Sequence, residues 1–207
     1  MWRILFIWLL MLVGVRADPP EVVSSSPDQL WTIQAQWMNS GTSQEGYEWH
    51  LKNTKTGKIY FNEKIQPDES LPHRFSVEWS PGSHYVALDF YYGRAVQEVM
   101  VISLAAKPEL INPLPDDAKS SLEKTLLQPE DLPLFDGWNR LITSTDSWLN
   151  DTDLSIEIFM RASLKDATAN NSTSLNTEWH KTVHFNGNTP TVINSVCDSY
   201  DKDAVSK

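Results

Sequence analysis

The sequence predicts a mainly β protein whose N-terminal part is an antiparallel β-sandwich. The segment LWTIQAQW alternates apolar and polar residues with the period of two that is typical of a half-buried strand. Several further segments of this kind recur at short intervals with turn signals between them, as in sandwiches and barrels. The C-terminal part is predicted to be mixed but mainly β, with one short helix.

A leader precedes these strands. Residues 1–17, MWRILFIWLLMLVGVRA, place one basic residue before a short apolar run, and Val15 and Ala17 stand at the positions that a signal peptidase reads. The run is shorter than the about 20 residues that a transmembrane helix needs. Residues 1–17 therefore predict a cleaved signal peptide and a secreted, extracellular chain without stable membrane insertion; the alternative is an N-terminal membrane anchor.

Residues 18–104 contain the predicted strands of the sandwich. The alternating segment is followed by YEWHL, IYF, HRFSVEW, HYVALDFYY and AVQEVMVISL, which are separated by polar or glycine-containing stretches. Trp31, Trp37, Trp49 and Trp79 fall on the predicted inward faces of these strands. We expect these four tryptophans to build the core, because aromatic side chains bury a large apolar area.

The order of features in this region resembles a fibronectin type III module. The landmarks are Pro19-Pro20 at the entry, Trp37 at the end of an early strand, Gly46-Tyr47 at the start of the next, and SPGS at 80–83 followed by Tyr85. The resemblance implies a seven-stranded, immunoglobulin-like sandwich in which Tyr85, or otherwise Tyr91, ties its hydroxyl to the preceding loop. These modules often carry Leu before the Pro-Gly turn, where this chain has Trp79 and Ser80, so other sandwiches stay open.

A change of composition marks the end of the first region. Residues 105–117 contain three prolines and predict a linker. The segment from Asp116 to Gln128 has acidic residues first and leucines at helical spacing, so it predicts the short helix. Residues 118–207 predict a second β-rich region, either a degenerate sandwich or an incomplete module. Its predicted strands are LSIEIFMRASL, EWHKTVHF and TPTVINSV, with KDATANNSTSLN as a polar loop.

Charge, cysteine content and sequons limit the kinds of partner and compartment. The net charge is −10 and the basic residues are intermixed with acids, which disfavours the clustered basic face that nucleic acids and anionic membranes require. The single cysteine, Cys197, predicts either an intermolecular disulfide or a free thiol. Sequons at Asn150, Asn170 and Asn171 predict N-glycosylation, with one glycan expected on the overlapping last two.

The residues with catalytic or metal-binding chemistry form no recognisable site. His180 and His184 are four apart, and in a strand this spacing separates them by about 13 Å, which is too far for one metal ion. The sequence contains no GxSxG, no HExxH and no glycine-rich phosphate loop. We therefore expect neither an enzyme nor a cofactor.

A loop after the HYVALDFYY segment is the candidate partner-binding site, formed by Tyr92, Gly93 and Arg94. Tyr91 and Tyr92 cannot both point inward from a strand, and exposed tyrosine with arginine is enriched at protein contacts. The family resemblance implies non-catalytic recognition of, or adhesion to, an extracellular or membrane-bound protein. The alternatives are a soluble or truncated receptor-like decoy and a carbohydrate-binding sandwich.

Overall fold

The computed structural model describes residues 20–38, 46–61, 73–92, 96–114, 126–165 and 172–204. This part of the chain is mainly β, with antiparallel and mixed sheets. Its strands are β1 (Glu21–Ser25), β2 (Trp31–Met38), β3 (Gly46–Asn53), β4 (Ile59–Tyr60), β5 (Arg74–Trp79), β6 (Tyr85–Tyr91), β7 (Val96–Ser103), β8 (Glu109–Ile111), β9 (Phe135–Trp148), β10 (Asp153–Lys165), β11 (Ser172–Asn186) and β12 (Thr189–Ala204).

The described strands form two sheets. The first sheet has the order β1-β2-β3-β4, with each strand antiparallel to the next. The second has the order β12-β11-β10-β9-β7-β6-β5, and β8 pairs with β7. Every pairing in it is antiparallel except that of β7 with β9, which is parallel at Val96–Leu141 and Gln97–Ile142. Strands from both predicted regions therefore share one sheet.

Strand β6 is buried on both of its faces. Val86, Leu88 and Phe90 point to one side and join residues of β2 and β3 in a first core between the two sheets. Tyr85 and Ala87 point to the other side and join residues of β10 and β11 in a second core. The apolar run YVAL carries no polar residue for an exposed face, as is typical of a strand covered on both sides.

Strand β9 crosses β6 and β5 on the side to which Tyr85 and Ala87 of β6 point. Near its end, the indole Nε1 of Trp148 donates to the carbonyl oxygen of Glu78 at 3.1 Å. Before that point, Asp89 of β6 accepts hydrogen bonds from the backbone N–H and the hydroxyl of Thr145 at 3.0 and 2.7 Å, and from the Ser76 hydroxyl at 3.1 Å. The Asp89 carboxylate, only 5% exposed, thus links three strands.

Burial raises the pKa of Asp89, and its hydrogen bonds oppose that shift only in part. Because the folded pKa lies above the unfolded one, this group favours folding at acidic pH and costs stability as pH rises through the folded pKa. We expect Asp89→Asn, which keeps an acceptor for Thr145, to be more stable than wild type near neutral pH by about 1 kcal/mol. The difference should vanish below the ordinary pKa of an aspartate, about 3.9.

Urea unfolding at several pH values measures this effect. Asp89→Ala is the control, since it leaves the Thr145 N–H without an acceptor and should lose about 1–3 kcal/mol at any pH. An Asp89→Asn protein that is less stable than wild type near neutral pH would contradict the assignment of burial as the dominant cause.

Tyr85 connects the second core to the turn between β11 and β12. Its ring lies 5.8 Å from that of Trp148 and 5.3 Å from that of Phe185, and those two rings are 5.8 Å apart. Its hydroxyl donates to the carbonyl oxygen of Gly187 at 3.0 Å. The prediction that this hydroxyl binds the preceding loop is therefore wrong, because the side chain points into the second core, and the alternative at Tyr91 stays a prediction. Ser80 instead organises that turn, accepting at its Oγ from the N–H groups of His84 and Tyr85.

The predicted strands of the first region are confirmed, and so are the three predicted strands of the second region. Some details differ. Trp37, expected in the core, is 42% exposed because it lies at the end of β2, where it packs edge-to-face on Tyr47. Residues 172–176, expected in a loop, belong to β11. The segment predicted as a linker contains β8.

Helical structure is minor in the part of the chain that the structure describes. The predicted helix at 116–128 lies mostly outside the described residues, and the described part contains a short 3-10 helix at Leu132–Leu134. The predicted signal peptide also lies outside them.

Candidate protein-contact surface

The predicted partner loop is only partly described. Tyr92 follows β6, is half-buried and packs its ring 6.1 Å from that of Phe90 at the border of the first core. Tyr91 is also half-buried, so neither tyrosine is strongly exposed. Gly93 and Arg94 lie outside the described residues. The structure therefore places Tyr92 against the first core.

A different surface has the features of a contact site, namely the outer edge of β12. This strand runs antiparallel to β11 from Thr189 to Ala204 and pairs with no other strand of the described chain. Residues 191–198 are exposed throughout, on both faces of the strand. Val192, Ile193 and Val196 are apolar side chains in this stretch, and Ile193 is 57% exposed.

The apolar segment of β12 is also uncharged. Residues 189–197 read TPTVINSVC and contain no charge. The second half of the strand is acidic, with Asp198 and Asp201. Natural proteins protect exposed edges with charges, prolines or bulges, because free N–H and C=O groups pair readily with another chain. Here Pro190 stands at the start, and single extra residues interrupt the register near Ile193 and Asp198. None of the residues from Thr191 to Cys197 is charged.

The second half of β12 is fixed to the protein by a buried acid. The Tyr200 hydroxyl donates to Oδ2 of Asp131 at 2.6 Å, and Nζ of Lys202 lies 2.8 Å from the same carboxylate. The backbone N–H of Gln128 donates to the Tyr200 hydroxyl at 3.0 Å. Burial and, next, the bond to Asp131 raise the pKa of Tyr200. This part of β12 is therefore held in place while its first half remains exposed.

The middle of β12 is fastened by a histidine–aspartate pair. Nδ1 of His180 on β11 lies 2.5 Å from Oδ2 of Asp198, and this hydrogen bond is the main cause that raises the pKa of His180. The ion pair exists while His180 is protonated and weakens as pH rises through that pKa. His184, also on β11, pairs separately with Asp153 at 2.6 Å. Across the described ranges, no three His, Cys, Asp or Glu side chains are arranged to hold a metal ion.

Cys197 is an exposed free thiol in the same strand. It lies opposite Trp179 of β11, and its Sγ is 3.3 Å from the carbonyl oxygen of Ser199. Partial burial, followed by the charge of Asp198, raises the pKa of this thiol. At neutral pH the thiol is therefore mostly protonated and reacts slowly.

The Asn150 sequon lies in the exposed turn between β9 and β10. Oδ1 of Asn150 accepts from the N–H groups of Thr152 and Asp153, and its Nδ2 donates to Asp153 at 2.7 Å. The neighbouring Asp151 accepts from the N–H of Gly82, so this turn contacts the SPGS turn. Asn150 is thus accessible at a surface turn, whereas Asn170 and Asn171 lie outside the described residues.

Comparison of the chain with family models, curated proteins and solved structures gives no match. In the described ranges, no helix has the length and apolar character needed to cross a membrane.

Sequence reasoning missed the β12 edge although it predicted a strand in TPTVINSV. The predicted strand ended near Val196, whereas β12 continues to Ala204 through the polar residues DSYDKDA. The available signal was the uncharged stretch 189–197 next to this acidic one. Within the described residues β12 pairs on one side only, and this is a property of the tertiary structure that alternation of residue types does not encode.

Proposed function

We propose that this chain is a secreted, N-glycosylated protein that recognises another protein without catalysis, and that the outer edge of β12 is its contact surface. The observation that carries the proposal is the uncharged, apolar, exposed stretch of β12, whose outer edge pairs with no strand of the described chain. The predicted signal peptide and the accessible Asn150 turn support export through a glycosylating compartment.

An edge of this kind suits recognition by β-strand addition. The partner would supply a strand whose backbone groups satisfy the free N–H and C=O groups of β12, which provides affinity. Specificity would come from the alternating side chains, with Val196 on one face and Val192 on the other. The recognised ligand is therefore an extended segment of an extracellular or membrane-bound protein that carries apolar side chains on both of its faces.

The proposed architecture of the N-terminal region is a β-sandwich similar to a fibronectin type III module. The first core, which contains side chains of both sheets, supports two packed layers. The consecutive order β1-β2-β3-β4 differs from the ABED sheet of the immunoglobulin fold, so the proposal concerns the sandwich class rather than a specific strand order.

Affinity capture from conditioned medium tests the function. The purified secreted chain should retain one or more proteins that mass spectrometry identifies, and Ile193→Lys should lose them, because a lysine on an edge opposes strand addition. Val22→Lys is the matched control, since Val22 of the edge strand β1 is 56% exposed and Ile193 is 57% exposed. Equal capture by wild type and Ile193→Lys would remove β12 from the proposal.

A further inference from the structure

We propose that the partner of the β12 edge is a second copy of this chain, and that two β12 strands pair antiparallel about a two-fold axis near Cys197. The inference rests on the proposed function, because it names the partner of the same surface. It would make the recognition homophilic.

The charge pattern of β12 favours an antiparallel over a parallel pairing of two copies. In an antiparallel pair about Cys197, residues before the axis lie opposite residues after it, so Val196 lies beside Asp198 of the second copy and residues 190–196 face residues 198–204. The uncharged half of one strand thus covers the acidic half of the other. A parallel pairing would place Asp198 beside Asp198 and Asp201 beside Asp201, and like charges directly opposite one another are destabilising. The antiparallel arrangement removes only this local repulsion between aspartates, because each copy still carries a net charge of −10.

The position of the axis also gives an overlap of nearly the whole strand. Eight residues of β12 precede Cys197 and seven follow it, since the strand runs from Thr189 to Ala204. A two-fold axis at this point therefore pairs the strand with its copy over nearly its full length. Such an interface is self-complementary, because each copy presents the same edge to the other.

The non-covalent contact alone should be weak. The register irregularities near Ile193 and Asp198 shorten the regular ladder. A single strand pair also buries less than the about 1,200 Å² of stable complexes. The exposed thiol at the axis can make the contact durable, because directly opposed residues of an antiparallel pair have Cα atoms about 4.5–5.5 Å apart, within the range that a disulfide spans.

The covalent step needs a disulfide oxidant such as glutathione disulfide. One Cys197 thiolate attacks a sulfur of glutathione disulfide and releases a glutathione thiolate. The Cys197 thiolate of the second copy then attacks the mixed disulfide at Sγ of the first and releases the second glutathione thiolate. The two cysteine thiols are oxidised by two electrons in total, and the oxidant becomes two reduced glutathione molecules.

The test is a time course of the purified secreted chain with glutathione disulfide, followed by non-reducing electrophoresis and light scattering. Wild type should form a disulfide-linked dimer, and Cys197→Ser should not. Val196→Asp places a new carboxylate opposite Asp198 of the second copy, so it should form the dimer about fivefold more slowly. Val22→Asp on β1 is the control and should react at the wild-type rate.

Three results would overturn the inference. One is a wild-type chain that remains monomeric and carries only glutathione on Cys197. Another is equal dimerisation rates for wild type and Val196→Asp, which would indicate random collision of thiols. Capture of a different protein that Ile193→Lys abolishes, by a chain that never dimerises, would overturn the self-pairing and leave the proposed function standing.

Discussion

Residues 18–104 produced without the rest of the chain are expected not to fold into a stable monomer. In the full chain, one face of β6 and β7 is covered by β9, β10 and β11, so the fragment would expose Tyr85, Ala87, Val99 and Val101 together. A contiguous apolar patch of this kind causes association in soluble proteins. We expect the fragment to bind a hydrophobic dye, to aggregate, and to unfold in urea without a cooperative transition.

Two controls separate this cause from a general failure of truncated chains. Co-expression of 18–104 with 105–207 should restore a soluble complex, because the missing strands are supplied in trans. Replacing Val99 and Val101 by Thr in the isolated fragment should reduce its aggregation by making the uncovered face polar. A monomeric fragment 18–104 with a cooperative unfolding transition would contradict the mutual dependence of the two parts.

Tyr85→Ala is expected to lower the free energy of unfolding of the full chain by about 3–5 kcal/mol, as for other buried aromatic side chains. The substitution leaves a cavity between Trp148 and Phe185 and removes the hydrogen bond to Gly187. Tyr85→Phe keeps the ring and should lose only about 0.5–1.5 kcal/mol. Urea unfolding monitored by tryptophan fluorescence measures both values.

Tyr60→Ala provides the comparison within the first core. Tyr60 is half-buried on β4 and packs edge-to-face on Trp31, so its removal should cost clearly less than that of Tyr85. If Tyr85→Ala were no more destabilising than Tyr60→Ala, Tyr85 would not connect the two parts of the chain as described.

Local sequence patterns were sufficient to predict most strands. Alternation located β2 and β10, and the Asn-Gly-Asn turn correctly joined β11 to β12. Patterns of this kind report which residues lie on each face of a strand. They do not report what covers each face, and for that reason Trp37 was assigned to the core although it lies at a strand end.

The joining of the two predicted regions depends on contacts between residues distant in sequence. The Tyr85 hydroxyl is hydrogen-bonded to Gly187, and the Asp89 carboxylate to Thr145. The residues next to them in sequence do not predict either hydrogen bond. The one local clue was the YVAL run, whose lack of polar residues is typical of a strand buried on both faces. The outer edge of β12 was missed for the same reason. It is an edge because no further strand of the described chain pairs with β12, and residues near β12 in sequence carry no sign of this.

The central claim is that the outer edge of β12 is the surface through which this chain binds another protein chain. Amide hydrogen exchange in β12 tests this claim most directly. The associated form, either the dimer or the complex with a captured protein, is compared with the Cys197→Ser chain at low concentration. We predict slower amide exchange in residues 190–197 of the associated form and no change in β1. Unchanged exchange in β12 together with new protection around Tyr92 would contradict this account and favour the loop after β6 as the contact site.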